Sequence, residues 1–452
     1  LTICVALYAS SRVRNTKDFI LAGRSLPVYI STAALFATWF GSETILGASA
    51  EMAERGIPGV IQEPFGAALC LFLLGAFIAK PLYRMNILTF GDFYRIKYGI
   101  RMEILAGIFL VLSYLGWIAA QMVALGIILN AVIGLDIPTG IILGSGMVVF
   151  YTYLGGMWSV SLTDFIQMIM IIIGLGLTLW ELQSEASILS ILSITPDEFY
   201  RFFPEPKPVS IMNYMAAWMV IGLGSLPQQD LFQRVMSARS EKVAVWSSFL
   251  ASFLYLTIAL IPLILALYAR ELIDLQILEN KQMLIPFLVQ LKTSPVVQVL
   301  FFGAMISAIM STASGAILAP SSIFSENLLK HIFITESLTD KKLLVLSRIS
   351  VLIVSGIGLG IALGRQDIYA LVEESSALSL VALFIPMMFG LYKDTIDEKT
   401  ALLSAGFGFF SWITASILDT VLDPLLFGLT FSLVPVFWSI WVSKRSLNQP
   451  SK

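Results

Sequence analysis

The chain has 452 residues, 57% hydrophobic and only 13% charged, with a mean hydropathy of +0.86 and a net charge of −2. Soluble domains carry about a quarter charged residues, so this is the composition of a polytopic membrane protein. One histidine, His331, excludes paired-histidine metal and triad chemistry; Cys4 and Cys70 give no disulfide framework; no basic run marks nucleic-acid binding, and no GxxxxGK[ST] marks ATP hydrolysis.

Residues 1–10 read as the tail of a transmembrane helix whose start lies upstream of Leu1, and a basic loop, 11–26, follows. Apolar runs then occupy 25–42, 64–79, 104–135, 137–163, 165–180, 208–229, 243–269, 293–325, 349–364, 375–392, 400–418 and 424–443. Each reaches, or with an abutting charge approaches, the about 20 residues of a span. With the stub, thirteen spans are expected. If 11–26 is cytoplasmic, 21 of the 28 Lys and Arg lie on that side and 7 outside, the asymmetry of the positive-inside rule. The tail, 444–452, is then cytoplasmic. In this frame His331 is a surface residue of an inner connection, and 154–160 is another inner connection. Asp230, Arg234 and Arg239 mark the inner end of the sixth core span. Glu373 and Glu374 head the tenth near the outer face, either as gate residues or as a solvated helix start.

Two spans are interrupted alike. The first core span, STAALFATWFGSETILGASA, carries Gly41, Ser42 and Glu43 at its centre; the sixth, AAWMVIGLGSLPQQDLFQR, carries Gly224, Ser225 and Pro227 ahead of Gln228 and Gln229. An odd, five-span period predicts two repeats of inverted topology, 27–182 and 211–392, joined by an outer loop over 183–210 and followed by two helices over 393–443. Paired interruptions point to the midplane site of a secondary transporter, because unwound backbone at membrane depth is tolerated only where it lines a cavity. The other reading is that Gly and Pro are simply common in membrane helices.

Four stretches carry a family resemblance: LAGRSLP (21–27), the first broken helix, GGMWSVSLTDFIQ (155–167) and AMISAIMSTASGAILAPSSIFSENL (304–328). From about residue 11 to 443 the chain resembles the sodium:solute symporter family. TWFGSETILG, LGWIAAQMVALG, LPQQDLFQRVMS and FFGAMISAIMSTASGAIL look closest to its high-affinity choline transporter branch. The resemblance implies an all-α, LeuT-type 5+5 inverted repeat with one extra N-terminal and two extra C-terminal helices. It also implies a multi-pass protein of the plasma or inner membrane, working by sodium-driven alternating access, with Na+ as coupling ion and no cofactor or transition metal. The expected partners are the lipid bilayer, sodium and a small solute, for a monomer or loose oligomer.

Ala308, Ser311 and Thr312 fall at i, i+3 and i+4, on one helix face, while Ala37 and Phe40 precede the Gly41–Ser42 break, where unwinding frees carbonyls. By resemblance these five form the shared sodium site. The alternative for Ser311 and Thr312 is a hydroxyl bonded back to the i−4 carbonyl. A possible second sodium involves Asp164, Ser311 and Ser314, although Gly315 stands where that pattern has a serine. Asp164 is otherwise an interfacial carboxylate at a helix N-terminus.

The family's pocket walls correspond to Trp39, Glu43, Thr44, Gln62, Glu63, Trp117, Gln121, Gln228 and Gln229. Trp39 and Trp117 fall on positions that cage a quaternary ammonium in the choline branch, a contact worth about 0.5–2 kcal/mol. Ala67 replaces a tyrosine of that cage, however, and Gln228 a tryptophan. Glu63, beside Pro64, pairs with a cationic substrate, accepts hydroxyl protons from a polyol or sugar, or is a buried acid held within the fold. The expected function is sodium-coupled symport of a small organic solute, choline or a related organic cation first. Proline, another amino acid, a carboxylate or a sugar are the alternatives, and the non-transport alternative is a sensor module of a signalling protein. No enzyme chemistry is expected.

Overall fold

The computed structural model describes residues 11–274, 280–333, 339–393 and 396–447, together with Val5, Tyr8, Ala9 and Leu278. Among these, every regular element is helical, and the one β-type pairing is an isolated bridge between Leu26 and Ala238. The apolar runs become α1 (Val28–Ala37), α2 (Ala48–Arg55), α3 (Ile57–Met85), α4 (Ile100–Ile133) and α5 (Ile137–Leu182). After the outer loop come α6 (Pro208–Gly222), α7 (Gln229–Ser237), α8 (Glu241–Leu272) and α9 (Pro295–Leu329). The last four are α10 (Asp340–Gly364), α11 (Ile368–Tyr392), α12 (Glu398–Ile417) and α13 (Pro424–Ser443).

Nine of these helices are, among the described residues, long and apolar enough to cross a membrane. The pairs α1–α2 and α6–α7 each make one interrupted crossing, and α5 makes two. The 46 residues of α5 would run about 69 Å at 1.5 Å each, twice a bilayer core of about 30 Å. Gly156 turns the chain midway with φ 50° and ψ −146°. A Cβ there would lie 2.5 Å from the Phe19 carbonyl oxygen, so both the positive φ and the close seat of the short helix Thr16–Leu21 require glycine. The inner connection expected over 154–160 is therefore a one-residue break. The helix remnant expected over 1–10 lies, except for Val5, Tyr8 and Ala9, outside the described residues, as do Cys4 and the last five residues of the tail.

Two kinds of surface separate cleanly. Val299, Phe253, Phe410 and Trp438 are 66–73% exposed on the outer faces, which is the side-chain chemistry of a lipid boundary. The inward faces use small residues to bring backbones together: α9 runs so close to α5 that a Cβ on Gly174 would reach the Ala304 Cβ at 2.8 Å.

Both expected interruptions are present. The first span stops at Ala37 and resumes through a π turn at Glu43–Gly47; the sixth stops at Gly222 and resumes at Gln229. Three charged residues depart from their expected places. Of the trio at the inner end of the sixth span only Arg239 is exposed; Asp230 and Arg234 are buried, so one of the inner positive charges counted above belongs to the core. His331 is not a plain surface residue either. Its side chain is 21% exposed, and its Nε2 lies 3.1 Å from Oε2 of Glu103, a buried acid of α4.

Candidate functional site

Unwinding of the first span redirects its hydrogen bonds. The Gly41 amide donates to the Trp39 carbonyl (2.7 Å), rather than to Ala37 four residues back, and the Ser42 amide donates to Gln121 Oε1 (3.3 Å). The Ala37 carbonyl is thereby left to α9, where Thr312 Oγ1 donates to it at 3.0 Å. Gly41 makes this approach possible, since a Cβ there would sit 2.7 Å from Thr312 Oγ1. The neighbouring Ser311 hydroxyl donates to Asp164 Oδ1 on α5. Both hydroxyls therefore reach across to other helices, and neither bonds back to its own i−4 carbonyl. Ala37, Phe40, Ala308, Ser311 and Thr312 are all fully buried. Hydroxyls and freed carbonyls without formal charge are the oxygens that suit a desolvated monovalent cation.

Asp164 stands in the body of the second half of α5, not at a helix start. Its Oδ2 is 3.7 Å from Arg234 Nη2 of α7, with both side chains essentially sealed from solvent. Arg234 Nε donates to the Ala34 carbonyl of α1 (2.8 Å) and Nη1 to the Asp230 carbonyl (3.4 Å). The guanidinium fits because position 315 is glycine: a Cβ there would meet Arg234 Nη2 at 2.6 Å. Ser314 turns its hydroxyl to the Ser311 carbonyl of its own helix (2.8 Å). The residues considered for a second sodium are thus together, with a tethered cation among them.

A narrow cavity of about 10 Å³ lies between the broken spans. Trp39, Glu43, Glu63, Trp117 and Gln228 line it, five of the nine residues expected from the sequence. Ile221 and Ser225 of the sixth span, with Val372, Ser375 and Ser376 of α11, complete the wall. The α11 serines were not among the sequence candidates, although the polar run EESSALS inside an apolar span was their signal. The other four expected residues do not line this cavity. Gln121 Nε2 donates to Glu43 Oε2 (2.8 Å) and Thr44 Oγ1 to Glu63 Oε1 (2.7 Å), so both position carboxylates from behind. Gln229 Oε1 accepts the Phe90 amide (2.7 Å) and so holds the start of the short helix Phe90–Tyr98.

Gln62 faces a second, wider cavity shared with Glu51, Arg55, Tyr369, Glu373 and Asp423, where its Nε2 donates to Glu373 Oε2 at 3.3 Å. Carboxylates outnumber the single guanidinium there. Glu373 and Glu374 have separate roles: Glu373 joins α11 to α3 through Gln62, while Glu374 is exposed and paired to Arg365 at 2.8 and 2.9 Å.

The two carboxylates of the narrow cavity differ in how far they are satisfied. Glu43 accepts from Trp117 Nε1 (3.2 Å), Gln121 Nε2 and Ser42 Oγ (3.2 Å). Glu63 Oε1 accepts from Thr44 and from the Tyr255 hydroxyl, but Glu63 Oε2 is buried without a partner. Among the described residues no Lys, Arg or His pairs with either acid. Trp117, having given its N–H to Glu43, also packs against Tyr114 with ring centroids 5.7 Å apart.

The sodium:solute symporter family model matches residues 19–408. The chain is 27% identical over 449 residues to the human high affinity choline transporter 1, covering 94% of this chain and 77% of that protein. It is 26% identical over 461 residues to the Bacillus subtilis high-affinity proline transporter PutP, covering 96% and 94%. Among solved structures, a substrate-bound, outward-open Na+-coupled sialic acid symporter matches with a TM-score of 0.85 at 18% identity, over 100% of this chain and 96% of that one. A closed nucleobase-cation-symport-1 family transporter matches with a TM-score of 0.60 at 15% identity, over 94% and 95%. The fold is the LeuT-type inverted repeat, carrying α12 and α13 as additions. With the family match spanning most of the sequence, the chain belongs to the sodium:solute symporter family, a multi-pass, sodium-coupled secondary transporter of a small solute and not an enzyme.

Proposed function

We propose that the imported solute is choline or a related organic cation. The coupling sodium binds among Ala37, Phe40, Ala308, Ser311 and Thr312, and the repeats 27–182 and 211–392 move around the central cavity. The observation that carries the reading is the pair Glu43 and Glu63, buried beside Trp39 and Trp117 with, among the described residues, no basic side chain to neutralise them. Uncompensated carboxylates at membrane depth are costly unless a cation meets them, and indole faces favour organic cations. The similarity to choline transporters supports the same class.

Sodium at the junction of α1 and α9 ties the broken span to the opposite repeat and favours the outward-open, solute-competent state. It does so only through a higher affinity for that state than for the inward-open one. The basic-residue asymmetry supports a cytoplasmic C-terminus. A second reading, proline, has the near full-length similarity to the proline transporter in its favour. Its carboxylate, however, would enter a cavity that already holds two.

The test is uptake of radiolabelled choline and ethanolamine into proteoliposomes under an inward sodium gradient, against an equal potassium gradient. Accumulation of an organic cation under sodium alone is expected. Equal uptake under potassium removes sodium coupling, and sodium-raised thermal stability without cation uptake sends the search to proline and other solutes.

A further inference from the structure

The unpartnered acceptor of the narrow cavity between the broken spans narrows the solute class. Three donors on the wall are already committed to protein. The Trp117 N–H goes to Glu43, the Gln228 amide nitrogen to Ser379 Oγ (3.3 Å) and the Ser375 hydroxyl to the Leu371 carbonyl (2.8 Å). Behind the wall, the protons of Thr44 and Tyr255 are directed at Glu63. The buried atom of the wall left without a partner among the described residues is an acceptor: Glu63 Oε2, on a side chain 1% exposed. A buried carboxylate oxygen left in this state is costly, and a ligand relieves both its missing hydrogen bond and its charge most directly by placing a cationic N–H on it.

The aromatic side of the cavity is correspondingly thin. Among the described residues, Trp39 and Trp117 are its only aromatic side chains, and Trp117 packs against Tyr114. A quaternary ammonium has no N–H and depends on several aromatic faces. A primary or secondary ammonium depends on charge-assisted acceptors, which this wall supplies.

Resting on the symport reading above, we infer that the cavity selects a small cation bearing N–H donors, an amine or guanidinium, over a quaternary ammonium, with Glu63 Oε2 as its specificity-determining partner.

The experiment uses the purified full chain in sodium, with ethanolamine, N-methylethanolamine, N,N-dimethylethanolamine and choline as probes. All four are monocations near neutral pH and keep the same hydroxyl, losing one N–H at each step. Dissociation constants come from ligand-induced thermal shifts, with sodium alone and potassium alone as references. Ethanolamine is expected to bind about tenfold or more tighter than choline, with the intermediates in order. Glu63→Gln should remove that preference while keeping the thermal shift produced by sodium. Should Glu63→Gln fail to fold, the wild-type series decides alone. Choline binding as tightly as ethanolamine, or a sodium shift with no response to any of the four, overturns the inference and leaves sodium coupling standing. The absence of any sodium shift together with no response to the series overturns the symport reading and this inference with it.

Discussion

Thr312 shows how one side chain joins two repeats. Its hydroxyl gives its proton to the Ala37 carbonyl across the α1–α9 contact, leaving its lone pairs free for an ion, while Ser311 beside it is anchored to Asp164. Replacing both Ser311 and Thr312 by alanine should abolish sodium stimulation of uptake, and Thr312→Ser, which keeps the oxygen, should retain it. The check is sodium-dependent uptake alongside expression level; unchanged sodium dependence in the double variant removes this site. The i, i+3, i+4 spacing made these hydroxyls legible, because periodicity reports which side chains share a face. It does not report what faces them from other helices. For that reason the sequence left open whether they bond back to their own helix, and the anchoring by Asp164 emerged only from the fold. The cavity residues came from the family resemblance: Trp39, Glu43 and Gln228 also sit next to the helix breaks and Glu63 is an acid in an apolar span, whereas Trp117, inside α4, has no such local mark. Gln229 is polar for a different reason, holding the start of a neighbouring helix, and nothing in its local sequence separates the two roles.

Between elements, the Arg234–Asp164 pair connects α7 to α5, and Arg234 adds α1 through the Ala34 carbonyl. Read along the chain, an arginine after a broken span marks an inner helix end. It turns inward here because Asp164 and the space above Gly315 meet it, and both lie far away in sequence. The turn in α5 was hard to place for the opposite reason: no charge marks Gly156, whose non-helical φ and ψ reverse the helix. Arg234→Gln should be strongly destabilising, by about 3–5 kcal/mol, since it strands Asp164 as a buried charge, and adding Asp164→Asn should restore part of the loss. Thermal unfolding of the two single variants and the double variant measures the coupling. Additive losses would mean that the two groups do not act as a pair. Because the guanidinium supplies the positive charge that a second sodium would bring, sodium activation of the wild type should be hyperbolic rather than sigmoidal.

For the whole molecule, the decisive quantity is the charge moved per cycle. One sodium crossing about 100 mV releases about 2.3 kcal/mol, and a tenfold sodium gradient adds about 1.4. Together these support accumulation of a neutral solute by roughly 500-fold. A monovalent cationic solute is itself driven by the potential, so the same 100 mV acts on two charges rather than one. With the sodium gradient held fixed, the step from no potential to 100 mV, inside negative, should raise the limiting accumulation ratio about fifty-fold for a neutral solute. For a monocation with one sodium the rise should be about 2,400-fold. Proteoliposomes clamped with potassium and valinomycin at several potentials give the slope of log accumulation against voltage, even where leak lowers the absolute ratio. A slope of two charges is expected, from one sodium at the Thr312 junction and one cation beside Glu43 and Glu63. A slope of one would mean that those two acids are neutralised within the protein rather than by the solute, and would overturn the organic-cation reading while leaving sodium coupling in place.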